Sequence, residues 1–252
     1  MVQLTELVNY TDSLLAVERF RDYCPNGLQV EGRSEVRRLV CGVTACQALV
    51  DAAVVAKADA LLVHHGYFWK GEGAAITGIK MRRIRALLDA GISLLAWHLP
   101  LDAHPELGNN AQLGQRLGLI TKGRFPGQDE AAVGLWGQLT EPQTADTFAA
   151  QIEVALGRRP LHFVPNERVI KTIAWCSGGA QNYIEAAADA GVDAYLTGEV
   201  SEQTFHLAHE RGIHFFAAGH HATERYGIQA LAAHLKRTFD LECEFVDSLN
   251  PV

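Results

Sequence analysis

The chain has 252 residues, 48% of them hydrophobic and 20% charged, with a formal net charge of −7. This composition suits one large or two modest globular domains and excludes a disordered chain. The acidic balance argues against an extended grip on a nucleic-acid backbone. No apolar run approaches the ~20 residues of a membrane helix. The opening stretch MVQLTELVNYTDSLLAVERF carries acids and lacks a basic start and a cleavage site, and the five cysteines (24, 41, 46, 176 and 243) form no C-x-x-C pair. Reduced thiols and a cytoplasmic protein are therefore expected, with no membrane association.

The opening stretch reads as an amphipathic helix. YCPNGLQVEG follows as a turn-rich loop containing Pro25, Asn26 and Gly27. RLVCGVT is a strand, and Thr44 with Gln47 has the spacing of a capping box, so a helix should begin near Ala45. A strand ending in LLV leads to His64 and His65. IKMRRIRALLDAG is a helix stopped by Gly91, ISLLAW a strand, and PELGNNAQLGQRLG a helix ending at Gly118. KGRFPGQDEAA, polar and rich in Gly and Pro, is the expected linker. VGLWGQL (strand), ADTFAAQIEVAL (helix) and PLHFVP (short strand) come next.

The following segment repeats an earlier plan. TIAWCSGGAQNYIEAAADAGVDAYLTGEV aligns without gaps on RLVCGVTACQALVDAAVVAKADALLVHHG, matching Gln47 with Gln181, Ala52 with Ala186, and Asp59-Ala60 with Asp193-Ala194. The second helix begins after Ser177 and stops at Gly191. SEQTFHLAHERG, stopped by Gly212, leads into IHFFAA as IKMRRIRALLDAG leads into ISLLAW. Each half thus reads strand, helix, strand, helix, strand, which implies parallel strands with right-handed crossovers. The expected architecture is α/β, in two similar halves covering 1–125 and 126–252, with the boundary near residues 121–131.

Ligands of parallel sheets bind beyond the carboxyl ends of strands. His64 and His65 follow one such end, His98 and Asp102 a second, and His220, His221 and Glu224 a third, while the YLT end brings Gly198 and Glu199. Gly219 can break its strand, with a helix opening near Ala222. His220 and Glu224 then lie four apart on one face of the first turn. Imidazole mixed with carboxylate suits zinc, iron, manganese, cobalt or nickel. His64, His65, Asp102, His220 and Glu224 exceed the needs of one tetrahedral ion, so two divalent ions are the natural count. A lone His-His pair would be weak evidence; two pairs with two carboxylates at strand ends make a metal site the stronger reading.

His98 and His221 are candidates for moving a proton or orienting a ligand. Tyr67, Phe68 and Trp69, together with Asn26, are candidates for a substrate pocket, although core packing explains the aromatics equally well. The histidines at 104, 162, 206, 209, 214 and 234 do not converge and read as surface or packing residues. Cys46 and Cys176 lie near strand-to-helix turns without a base poised beside them, which disfavours a nucleophilic role.

The segments PNGLQVEG, GVTA, VHHGYFWKG, WHLPLDAHPELGNN, TGEVSEQ and AGHHATER together resemble the NIF-three-like family, also described as GTP cyclohydrolase I type 2 homologs. The resemblance covers essentially the whole chain. The family's metal pattern falls on His64, His65, Asp102, His220 and Glu224. The resemblance implies two similar α/β domains with a metal cleft between them, a dinuclear centre and a ring-like homohexamer. It implies a metal-dependent hydrolase acting on a nucleotide-like or heterocyclic small molecule. Whether the chain is an enzyme stays open at this point. A non-catalytic metal-binding scaffold or regulator, or a protein of nucleotide or DNA-damage metabolism, is the alternative.

Overall fold

Leu39–Val43 and Leu61–Val63 are apolar without alternation, the pattern of strands covered on both faces, and both runs are buried in the middle of a sheet. The computed structural model describes residues 1–127, 129 and 131–252. In chain order its elements are β1 (Val2–Gln3), α1 (Leu4–Leu14), β2 (Gly27–Val30), β3 (Glu35–Val36), β4 (Arg38–Thr44), α2 (Gln47–Val55), β5 (Ala60–His65), α3 (Gly78–Ala90), β6 (Ser93–Ala96), α4 (Leu99–Ala103), α5 (Asn109–Arg116), β7 (Leu119–Phe125), β8 (Gly134–Gln143), α6 (Ala145–Leu156), β9 (Leu161–Phe163), β10 (Ile170–Trp175), α7 (Ile184–Asp189), β11 (Ala194–Thr197), α8 (Glu202–Arg211), β12 (His214–Ala217), α9 (His220–Phe239) and β13 (Glu242–Phe245). They form two units, Met1–Leu101 with Gly227–Ser248 and Asp102–Tyr226 with Leu249–Val252.

The first unit holds a five-stranded sheet in the order β13-β4-β5-β6-β2. Its first four strands are parallel, and β2 pairs antiparallel with β6. Leu49, Val50 and Ala53 of α2 and Ile84 and Leu87 of α3 pack on Val40, Leu61, Val63 and Leu94. The second unit holds a six-stranded sheet in the order β7-β8-β10-β11-β12-β9. Its centre, β10-β11-β12, is parallel and the outer pairings are antiparallel. α5 and α6 cover one face through Leu113, Phe148 and Ile152. α7 and α8 cover the other through Ile184, Ala187 and Ala208.

The repeated plan is present at the level of register. Ala60 pairs with Ser93 and Ala194 with His214. Asp59 accepts the backbone N–H of Arg37 and Arg38, and Asp193 accepts those of Lys171 and Thr172. Each carboxylate ties the start of its strand to the start of the preceding one. Gly91, Gly191 and Gly212 all have positive φ, as left-handed helix stops require.

Several local expectations change. The sheets are mixed, because β2, β7, β8 and β9 add to parallel centres in the antiparallel sense. The loop YCPNGLQVEG contains β2: its turn residues end at Gly27, and the apolar remainder joins the edge of β6. The Thr44–Gln47 capping box does not form. The helix starts at Gln47 with Cys46 as its N-cap residue, and the Thr44 hydroxyl lies 3.3 Å from His65 Nδ1 instead. The expected linker is partly sheet, since Gly123, Arg124 and Phe125 pair with β8 and Lys122 sits at a register shift in β7, while its residues 128 and 130 lie outside the described residues. The units accordingly do not divide at 121–131. β7 belongs to the second sheet, and β13 returns to pair with β4 in the first.

Candidate metal centre

In the first unit, β5 delivers His64 and His65, and the turn after β6 delivers His98. One ring nitrogen from each lies within 4.8 Å of the others. His64 is fully buried, and its Nδ1 donates to the Trp97 carbonyl at 3.0 Å. A carbonyl only accepts, so the proton sits on Nδ1 and Nε2 keeps its lone pair. His98 is fixed in the same way. Its Nδ1 donates to Asp22 Oδ1 at 2.7 Å, and its backbone N–H donates to Asn26 Oδ1. Burial works against ionisation of Asp22, but the hydrogen bond and charge of His98, with Asn26 and the Tyr23 amide, hold its carboxyl below the usual range. Cys24 lies in the same cluster. Burial, with the Asp22 charge beside it, pushes its thiol up to about 12.

In the second unit, α9 opens directly after Gly219, so His220 and Glu224 share a helical face; His220 Nε2 lies 3.1 Å from Glu224 Oε2. His220 Nδ1 donates to Glu199 Oε1 at 2.6 Å. Burial alone would lower the His220 pKa, but Glu224 and then Glu199 raise it to about 9. Gly178, at φ +66°, passes so close that a Cβ there would collide with the Glu224 carboxylate. Asp102 Oδ1 accepts from Asn109 Nδ2 at 2.8 Å and from Ser177 Oγ at 3.3 Å. Asp102 and Glu224 are only 6% and 3% exposed. Each offers a carboxylate oxygen within 4.8 Å of the other. Two buried carboxylates this close repel unless a proton or a cation lies with them.

The donor set fits divalent transition ions. It mixes imidazole with carboxylate, its outer nitrogens are already occupied by Trp97, Asp22 and Glu199, and a glycine keeps the space beside Glu224 open. His220 Nε2 and Glu224 Oε2, 3.1 Å apart, would be the two atoms to take a cation.

Other sequence candidates divide between roles. Trp69 stands edge-on to His98 at 5.0 Å and near His65 at 5.8 Å, beside the imidazoles. Tyr67 is a core residue, buried, with its hydroxyl donating to the Ala45 carbonyl. Phe68 packs against Tyr67 and carries Lys80 over its ring. Asn26 holds the His98 backbone and Asp22. His221 is buried and, one residue on, turns about 100° away from the His220–Glu224 face. His104 caps the Glu106 and Leu107 amides, His162 stacks on Phe216, and His234 bonds Tyr10. Cys176 is buried, and burial, reinforced by the charges of Asp102 and Glu224, pushes its thiol well up. The sequence does not single out Asp22, Ser177 and Gly178 as site residues, since each acts through partners distant in the chain, whereas Asn109, seven residues from Asp102, lies within the segment WHLPLDAHPELGNN. Glu199 carries a sequence signal, its place at a strand end.

Residues 2–251 match the family model described as Duf34/NIF3 (NGG1p interacting factor 3). The chain belongs to the Duf34/NIF3 family. A Pseudomonas aeruginosa member named GTP cyclohydrolase 1 type 2 homolog is 57% identical over 99% of both chains. A like-named Escherichia coli protein is 52% identical over 98% of both. Among solved structures, protein ybgI, described as of unknown function, superposes with a TM-score of 0.96 at 51% identity, each chain covered completely. A Thermus thermophilus protein gives 0.91 at 35% identity, again over both whole chains. Reduced HcgD of Methanocaldococcus jannaschii shares the fold at 0.85 with 21% identity, over 98% of both chains. No helix among the described residues is long and apolar enough to cross a membrane.

Proposed function

We propose that this Duf34/NIF3 chain is a metal-dependent hydrolase of nucleotide-like or heterocyclic small molecules, using two divalent transition ions held by His64, His65, Asp102, His220 and Glu224. The observation that carries the reading is the Asp102–Glu224 pair, two nearly buried carboxylates with oxygens within 4.8 Å. A fold has little reason to bury two anions together unless cations join them. When bound, a pair of such ions supplies Lewis acidity and lowers the pKa of water. Asp22 keeps the His98 proton on Nδ1, so that Nε2 is the nitrogen able to accept a proton. Glu199 orients His220, and Asn109 with Ser177 orients Asp102. The name carried by the curated relatives puts a purine nucleotide first among substrates to test. The proposed assembly is a homohexamer in the cytoplasm; light scattering that returned a mass near 27.5 kDa would overturn the hexamer.

The test is elemental analysis after anaerobic purification, followed by a hydrolase screen over nucleotides, phosphoesters and small amides. The wild type should hold about two ions per chain, as a two-metal mechanism requires. Glu224→Gln keeps the volume and removes the charge. It should fall to about one ion or fewer and lose any hydrolase activity while circular dichroism stays unchanged. Two ions retained at unchanged affinity in this variant would show that Glu224 does not bind them.

A further inference from the structure

The second unit contains a cavity of about 780 Å³, walled by the α4–α5 turn, one face of α5 and strand β7. This volume suits a small molecule. Asp102 lies on its wall, Leu107, Leu119 and Leu135 supply an apolar side, and Lys122 and Arg124 reach it from β7. The wall also carries Asp102 and Glu106, so Lys122 and Arg124 offset two carboxylates where the chain as a whole is acidic by −7. Arg124 is held in place, since its Nη1 donates to the Ala132 carbonyl at 2.9 Å and the Ala103 carbonyl at 3.3 Å. Both bonds fall on one nitrogen, which leaves the other edge of the fork for an acceptor. Lys122 makes no ion pair among the described residues.

We propose that this cavity binds the phosphate-bearing part of a small ring compound, with Lys122 and Arg124 on the phosphate and the leucines against the ring. The chemistry follows from the lining. A fixed guanidinium edge beside an exposed ammonium matches the several oxygens of a phosphate monoester. Three leucines give a flat apolar body a surface to leave water for. Asp102 belongs both to this wall and to the proposed ligand set, so a substrate seated here is brought toward the reacting groups. That last clause rests on the hydrolase reading; binding in the cavity does not.

The test is calorimetry with guanosine monophosphate, guanosine and inorganic phosphate as probes, on metal-loaded and on chelator-stripped protein. Guanosine monophosphate should bind both forms. Guanosine and phosphate should each bind at least about tenfold more weakly, because each lacks one half of the contact set. Lys122 is exposed, so Lys122→Glu should fold normally; it should weaken guanosine monophosphate by more than about tenfold and leave guanosine unchanged. Leu135→Trp, which fills the apolar side, should weaken both. Equal affinity for guanosine and its monophosphate, an unchanged Lys122→Glu, or no binding to the wild type at millimolar concentration would each overturn the cavity assignment. None of these results bears on metal content. Conversely, a chain that binds the monophosphate through Lys122 but takes up no metal when offered it would overturn the metal reading alone.

Discussion

At the residue scale, Gly178 shows how one position governs a charge pair. It sits at φ +66°, where an L side chain is strained by about 1–2 kcal/mol, and a Cβ would enter the space of the Glu224 carboxylate. Gly178→Ala should therefore displace Glu224 and lower the metal content. The cores should remain, because they are built chiefly from side chains such as Phe148, Ile173 and Phe215, with only Cys176 and Ala180 reaching them from beside this turn. Elemental analysis beside circular dichroism checks it, and a fully loaded, normally folded alanine variant would contradict it. Asp193 makes a different kind of prediction. Burial opposes its ionisation, but the Thr172 and Lys171 amides and the Thr172 hydroxyl hold its pKa below 3.8. A depressed carboxylate pKa stabilises the fold above the unfolded value and loses that effect as pH falls through the folded value. Asp193→Ala should therefore destabilise at neutral pH by about 1–2 kcal/mol. In urea melts the gap from wild type should narrow as pH drops below 3.8. A gap constant between about pH 7 and about pH 3 would refute the assignment.

At the element scale, α9 carries His220 and Glu224 on its first turn, where helical N–H groups lack internal partners. The end of the chain supplies one: His221 N–H donates to the Val252 carbonyl oxygen at 2.9 Å, and Arg158 donates to the Pro251 carbonyl. Deleting residues 249–252 should fray this turn at a cost of about 1 kcal/mol, as loss of a cap does. Amide exchange at His221 should quicken, and metal affinity should fall. Unchanged exchange at His221 would show that the tail does not hold the turn. Elements of this kind mark where the sequence was legible. Gly91, Gly191 and Gly212 announce helix ends because a left-handed stop is a local matter, and His220 with Glu224 could be paired by counting a helical turn. The Thr44 cap failed for the opposite reason: its hydroxyl is turned to His65, a residue on the next strand. β2 and β13 were hidden because their pairing partners, β6 and β4, lie far away in the chain, and the Asp22–His98 contact spans 76 residues.

At the scale of the whole molecule, the proposed ligands come from both units: His64 and His65 from the first, and Asp102, His220 and Glu224 from the second. This distribution gives the dinuclear reading its most exposed consequence. If all five residues serve one pair of ions, removing a ligand from either unit damages the same binding event. If each unit keeps its own metal, the losses are independent. A double-mutant cycle separates the cases, since independent sites add within about 0.3–0.5 kcal/mol and coupled ones do not. His65→Ala, Glu224→Gln and the double variant should each keep the wild-type circular dichroism, as His65 is only partly buried at the end of β5 and Glu224→Gln conserves volume. Metal affinity, measured by competition with a chromophoric chelator, should fall by at least about tenfold in each single variant. The double variant should be little worse than the weaker single one, because an ion already lost cannot be lost again. Additive losses, with one ion still held tightly in each single variant, would assign the histidines and the carboxylates to separate sites and remove the basis for a two-metal hydrolase.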